Sequence, residues 1–74
     1  MDREALVEMI RSGPVRVRMN NGDEYDIPNS EFAIVSDLHA YVLVRKPDGR
    51  LGAKILSLVC MVSAEPYEPA DRSR

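Results

Sequence analysis

At 74 residues, with 45% apolar content and charges of both signs summing to −2, the chain has material for one small domain. It lacks both the length for a second core and the basic excess that draws a protein to nucleic acid or anionic membrane. The single cysteine, Cys60, leaves no internal disulfide and fits a reducing compartment. No stretch is long enough to cross a bilayer as a helix, and "MDREALVEMI" begins acidic and amphipathic, unlike a secretion signal, so a cytoplasmic location and no membrane partner are expected.

Leu6, Met9 and Ile10 recur at helical spacing, Asp2 stands where an N-cap belongs, and Ser12-Gly13-Pro14 closes the segment. A short helix follows from this, and helices of that length need docking to persist. The next stretch, "VRVRMNNGDEYDI", is a hairpin whose turn decides which side chains meet. A two-residue Asn21-Gly22 turn would set Met19 opposite Glu24 and Val17 opposite Asp26. A three-residue loop, Asn20-Asn21-Gly22 with Gly22 in the left-handed region as a G1 bulge, instead sets Val17 opposite Tyr25 and Val15 opposite Ile27. Arg18 then meets Glu24 and Arg16 meets Asp26 on the other face. A one-residue slip inverts both faces, so the three-residue loop is expected.

"IPNSE" interrupts the pattern, "FAIVS" resumes it as a third strand, and "SDLHA" reads as a turn. "YVLVRK" runs into "PDGR", where Pro47 and Asp48 suit a type I turn and Gly49 the bulge position, as at Gly22. "LGAKILSLVCMVSAEP" is too long for one alternating strand, and a kink near Ser57, such as a single 3₁₀ turn, would divide it. The expected fold is mainly β: an N-terminal helix followed by a five-stranded, strongly bent antiparallel sheet curled into a small barrel. One helix-capped domain over residues 1–66 and a flexible tail over 67–74 are expected.

Candidates for chemistry are sparse. His39, the sole histidine, has no cysteine nearby and reads as an exposed turn residue; Cys60, between Val59 and Met61, reads as a small buried hydrophobe. Asp23, Glu24 and Asp26 cluster, but two of them have arginine partners in the expected register. Neither a nucleophile motif nor a phosphate loop is present, so a non-enzyme without cofactor or metal is expected. The feature with the clearest chemical direction is the basic hairpin, which holds Arg45, Lys46, Arg50 and Lys54 of the ten Lys and Arg residues. A bulged turn puts Lys46 across from Arg50, a like-charge pair that an anion, phosphate or RNA, could relieve.

Surplus apolar surface is the other clue. "FAIV", "YVLV" and "ILSLVCMV" are apolar on both faces, and one short helix cannot cover three strands. Homo-oligomerisation is therefore expected, with edge-strand pairing as its route, and docking of a different protein is the second possibility. RNA is the less favoured partner. A catalytic site assembled only between subunits, from His39 and the carboxylates, is a third and weaker reading.

The layout resembles the Sm-like group of small barrels, also SH3-like in outline: a short helix and then bent strands. "VRVRMNNGDEYDI" is similar to the group's first motif, with Asn-Gly followed by the aromatic Tyr25, and "DLHAYVLV" is similar to that motif's end, with Asp37 at the acidic position. RNA-binding members carry an Asn where this chain has Tyr41 and an Arg-Gly pair where it has Leu56-Ser57-Leu58, so neither base-binding element carries over. "PNSE" stands as an insertion. The chain also resembles a group of short bacterial proteins of no known activity, with the same order of helix, "NG" hairpin, proline-containing loop and terminal "SxEP".

Overall fold

The computed structural model describes residues 1–68. Helix α1 (Arg3–Ser12) is followed by strands β1 (Val15–Met19), β2 (Glu24–Ile27), β3 (Ala33–Val35), β4 (His39–Arg45), β5 (Leu51–Ser57) and β6 (Met61–Pro66). Single 3₁₀ turns at Ser30–Phe32 and Leu58–Cys60 precede β3 and β6. At the start of α1 the Ala5 amide donates to Asp2 Oδ2 at 2.9 Å, the expected N-cap, and Gly13 with φ 148° ends the helix. Leu6 and Ile10, one turn apart, are its buried stripe.

Both hairpins use one turn geometry. The Met19 amide donates to the Asp23 carbonyl at 2.8 Å and the Gly22 amide to the Met19 carbonyl at 2.9 Å; Lys46, Arg50 and Gly49 repeat the pattern at 2.8 and 2.9 Å. Gly22 has φ 94° and Gly49 φ 89°, the bulge positions of three-residue loops. The residue before each glycine adds the same clamp, with Asn21 Oδ1 accepting from the Asp23 amide and Asp48 Oδ1 from the Arg50 amide. The β1–β2 register is Val15 with Ile27, Arg16 with Asp26, Val17 with Tyr25 and Arg18 with Glu24, the pattern expected from the three-residue loop.

The single five-stranded barrel sheet requires correction. There are six strands in two three-stranded antiparallel sheets, ordered β2-β1-β6 and β3-β4-β5, with no closed hydrogen-bonded barrel among the described residues. The physical cause is the pair of breaks between them. The 3₁₀ turn after Ser57 carries the chain from the second sheet to the first, where β6 pairs β1, and Pro28 with the Asn29-capped 3₁₀ turn separates β2 from β3. The corner at Ser57 falls where the sequence placed it, tied down by the Leu58 amide donating to the Leu38 carbonyl at 2.9 Å.

Eleven apolar side chains form the interior: Leu6 and Ile10 from α1, Val15, Val17 and Met19 from β1, with Ile27, Ala40, Val42, Leu56, Leu58 and Met61 closing it. Each strand contributes one face only. Among the described residues no helix is long and apolar enough to cross a membrane. Because nothing lies within 4 Å of a Cβ built on Gly22, Gly22→Ala is a test of backbone conformation alone. It should lower stability by roughly 1–2 kcal/mol, read as an earlier urea midpoint with unchanged slope, and Gly22→Asn should lose less. An unshifted midpoint for Gly22→Ala would contradict the left-handed turn.

Candidate interaction surface

The outward face of β1–β2 is charged and self-satisfied. Arg16 is bidentate on Asp26, Nε to Oδ1 at 2.7 Å and Nη2 to Oδ2 at 3.2 Å, and Arg18 Nε donates to Glu24 Oε2 at 3.0 Å. Being solvent-exposed, these pairs fix orientation more than they stabilise. Asp26 also holds the Arg16 guanidinium above its ordinary range, first by hydrogen bonding and then by charge. The guanidinium lies 4.8 Å from the centroid of the Tyr67 ring, a cation–π stack, and the Tyr67 amide donates to the Pro14 carbonyl at 3.3 Å. Of the segment expected as a tail, Tyr67 and Glu68 are thus described, with Tyr67 half-buried, while 69–74 lie outside the described residues.

Register divides the cations of the basic hairpin between two faces, Arg45 on one and Lys46, Arg50 and Lys54 on the other. Arg45 and Lys46 are neighbours in an extended chain and point to opposite faces. Arg45 pairs across from Leu51, its Nη1 donating to the Gly49 carbonyl at 2.7 Å. Lys46 stands across from Arg50, as expected from the turn, and its stem lies over Gly52, where a Cβ would meet Lys46 Cε at 2.5 Å. Lys54, opposite Val42, turns its ammonium toward the Tyr25 ring, 5.9 Å from the centroid. All four are exposed.

Two single-residue expectations are corrected. His39 is not in the turn: the loop is only Asp37-Leu38, closed by the Ser36 amide and hydroxyl donating to the His39 carbonyl at 2.8 and 3.1 Å, so His39 opens β4 opposite Ser57 and is half-buried. Cys60 is half-buried rather than buried, because it ends the 3₁₀ corner, where side chains do not alternate as in a strand. Among the described residues no group of three or more His, Cys, Asp or Glu is placed to hold a metal ion.

The apolar surplus takes a definite place. Ile34, Tyr41 and Ile55 stand in register across β3, β4 and β5, with Leu43 opposite Ala53 in the next row and Leu51 beyond it. This is the outer face of the second sheet, and Ile34 is 70% and Ile55 67% exposed. Leu38, Val59 and Val62 add exposed apolar surface around the loop and corner. A cleft of about 500 Å³ opens between β2 and the far end of β4–β5, lined chiefly by Tyr25, Phe32, Leu43, Leu51 and Tyr67. Sequence reasoning missed that cleft. Its one local signal is Tyr67, an aromatic directly after Pro66 in an otherwise polar segment.

Compared with protein-family models, curated proteins and solved structures, the chain gives no match.

Burial, and then the charge of Asp26, raise the pKa of Tyr67 above the ordinary tyrosine range. A raised pKa in the folded state means its contribution to stability is complete below the unfolded pKa and is lost as pH rises through the folded one. Alkaline titration of phenolate absorbance should therefore contain a late component that Tyr67→Phe removes. Removal of an early component instead would show that the ring is not held against the sheet.

Proposed function

We propose that this chain is a non-catalytic interaction module, an open small barrel of the SH3-like or Sm-like kind, which acts through self-association or by docking a protein partner. The observation that carries this reading is the row Ile34, Tyr41, Ile55 with Leu43 and Leu51 beside it, an apolar sheet face that solvent reaches. Isolated exposed hydrophobics are ordinary, but a contiguous apolar face marks an interaction site. Sedimentation at micromolar protein tests it. A species of at least twice the 8.3 kDa chain mass is expected, and a monomer throughout would remove self-association as the function.

A second reading, phosphate or RNA at Arg45, Lys46, Arg50 and Lys54, draws on the opposed Lys46 and Arg50, a like-charge pair that an anion would relieve. It calls for binding to mixed RNA that weakens as salt rises and falls further in a triple alanine variant of Arg45, Lys46 and Arg50. Absence of salt-sensitive binding by the wild type would dismiss it.

A further inference from the structure

The two sheets have four edge strands, and three are blunted against pairing with another chain. β3 is three residues long, and β2 is four, with Glu24 and Asp26 on the positions that turn away from β1. In β6 the register with β1 shifts at Met19, leaving Val62 unpaired, and Pro66 has no amide hydrogen. β5 is different: seven residues, no proline, an unbroken register with β4, and one charge, Lys54, whose ammonium is turned toward Tyr25.

The polarity of that edge follows from the hairpin bond between the Lys46 amide and the Arg50 carbonyl. Antiparallel bonding alternates, so Gly52, Lys54 and Leu56 turn their backbone groups toward β4, while Leu51, Ala53 and Ile55 turn theirs outward. Among the described residues no other strand neighbours β5 in the sheet. The edge therefore offers three consecutive outward donor and acceptor sets, and the side chains of the same three residues belong to the exposed apolar face.

We propose that β5 pairs antiparallel with β5 of a second copy about a two-fold axis at Ala53, a pairing that presupposes the self-association proposed above. Two-fold symmetry requires each residue to meet a partner on the same face, so the registers that overlap most of the strand put the axis at Ala53, Lys54 or Ile55, and the last of these sets Lys54 against the buried Leu56 and Ala53 against Ser57 at the corner. An axis at Lys54 sets Lys54 against its own copy, a like-charge pair directly opposite. An axis at Ala53 sets Lys54 against Gly52, which the flexible stem of Lys46 crosses, and sets Leu51 against Ile55 and Ala53 against itself, so no lysine stands directly opposite a lysine and the apolar residues meet each other. The result is a continuous six-stranded sheet, β3-β4-β5 joined to its copy.

Three variants of the full chain test this, two of them in a Cys60→Ser background. Ala53→Lys places like charges across the axis from an exposed position, so sedimentation should shift from dimer to monomer mass while the far-ultraviolet circular dichroism stays that of the wild type. Ala53→Cys should oxidise to a covalent dimer, since directly bonded partners have Cα atoms about 5.5 Å apart, and Lys54→Cys should oxidise much less. Association unchanged by Ala53→Lys, or a ring larger than a dimer, overturns the β5 pairing and leaves self-association through another surface standing. Preferential cross-linking through Lys54→Cys overturns the register, and a monomeric wild type overturns both proposals.

Discussion

The constraint on which the rest of this molecule depends is that its interior has room for one face of each element. The alternating pleat of β1 sends Val15, Val17 and Met19 inward and Arg16 and Arg18 outward, and Gly22 and Asn21 fix the turn that aligns those arginines with Asp26 and Glu24. In the β1–β2 hairpin the outward positions are ion pairs. In the second sheet the same pleat sends Ala40, Val42 and Leu56 inward, but the outward positions Tyr41, Leu43, Ile55 and Leu51 are also apolar.

Helix α1 cannot remedy this. Its buried residues, Leu6 and Ile10, belong to the core cluster with Val15, Val17 and Ile27, so the helix closes the inside of the fold. The outer face of β3-β4-β5 is left to solvent or to a partner, and β5 also leaves its backbone edge open. Apolar side chains and unpaired backbone groups on the same three residues are an arrangement that monomeric sheets usually avoid by charge, proline or bulge. Charge, proline or bulge blunts β2 and β6, whereas β5 has neither proline nor bulge and a single charge, Lys54, turned toward Tyr25, and this contrast within one chain gives the proposed pairing its direction.

The parts of the fold legible in the sequence are those with local causes. Both hairpins were readable because a G1-bulged loop needs glycine at one position and gains from Asn or Asp just before it, and the corner at Ser57 because an apolar run that long cannot alternate. The division into two sheets was not readable, since the pairing of Val15 with Pro66 joins strands from opposite ends of the chain and no local residue choice encodes it. His39 falls outside the expected turn for a smaller reason: Ser36 closes the turn with both amide and hydroxyl, so two residues suffice where the sequence suggests five. The basic hairpin teaches the converse lesson. Arg45 and Lys46 are adjacent in sequence, but strand geometry puts them on opposite faces, so a run of charge in the sequence divides between two surfaces.

The central claim, that the outward backbone groups of β5 are covered by a second copy, is tested most directly by residue-resolved amide hydrogen exchange at several protein concentrations. With β5 paired to its copy, the Leu51, Ala53 and Ile55 amides become protected as concentration rises, while the outward amides of Glu24 and Asp26 on β2 stay fast. Exchange at Leu51, Ala53 and Ile55 that remains as rapid as at Glu24 and Asp26 across the whole range would contradict it.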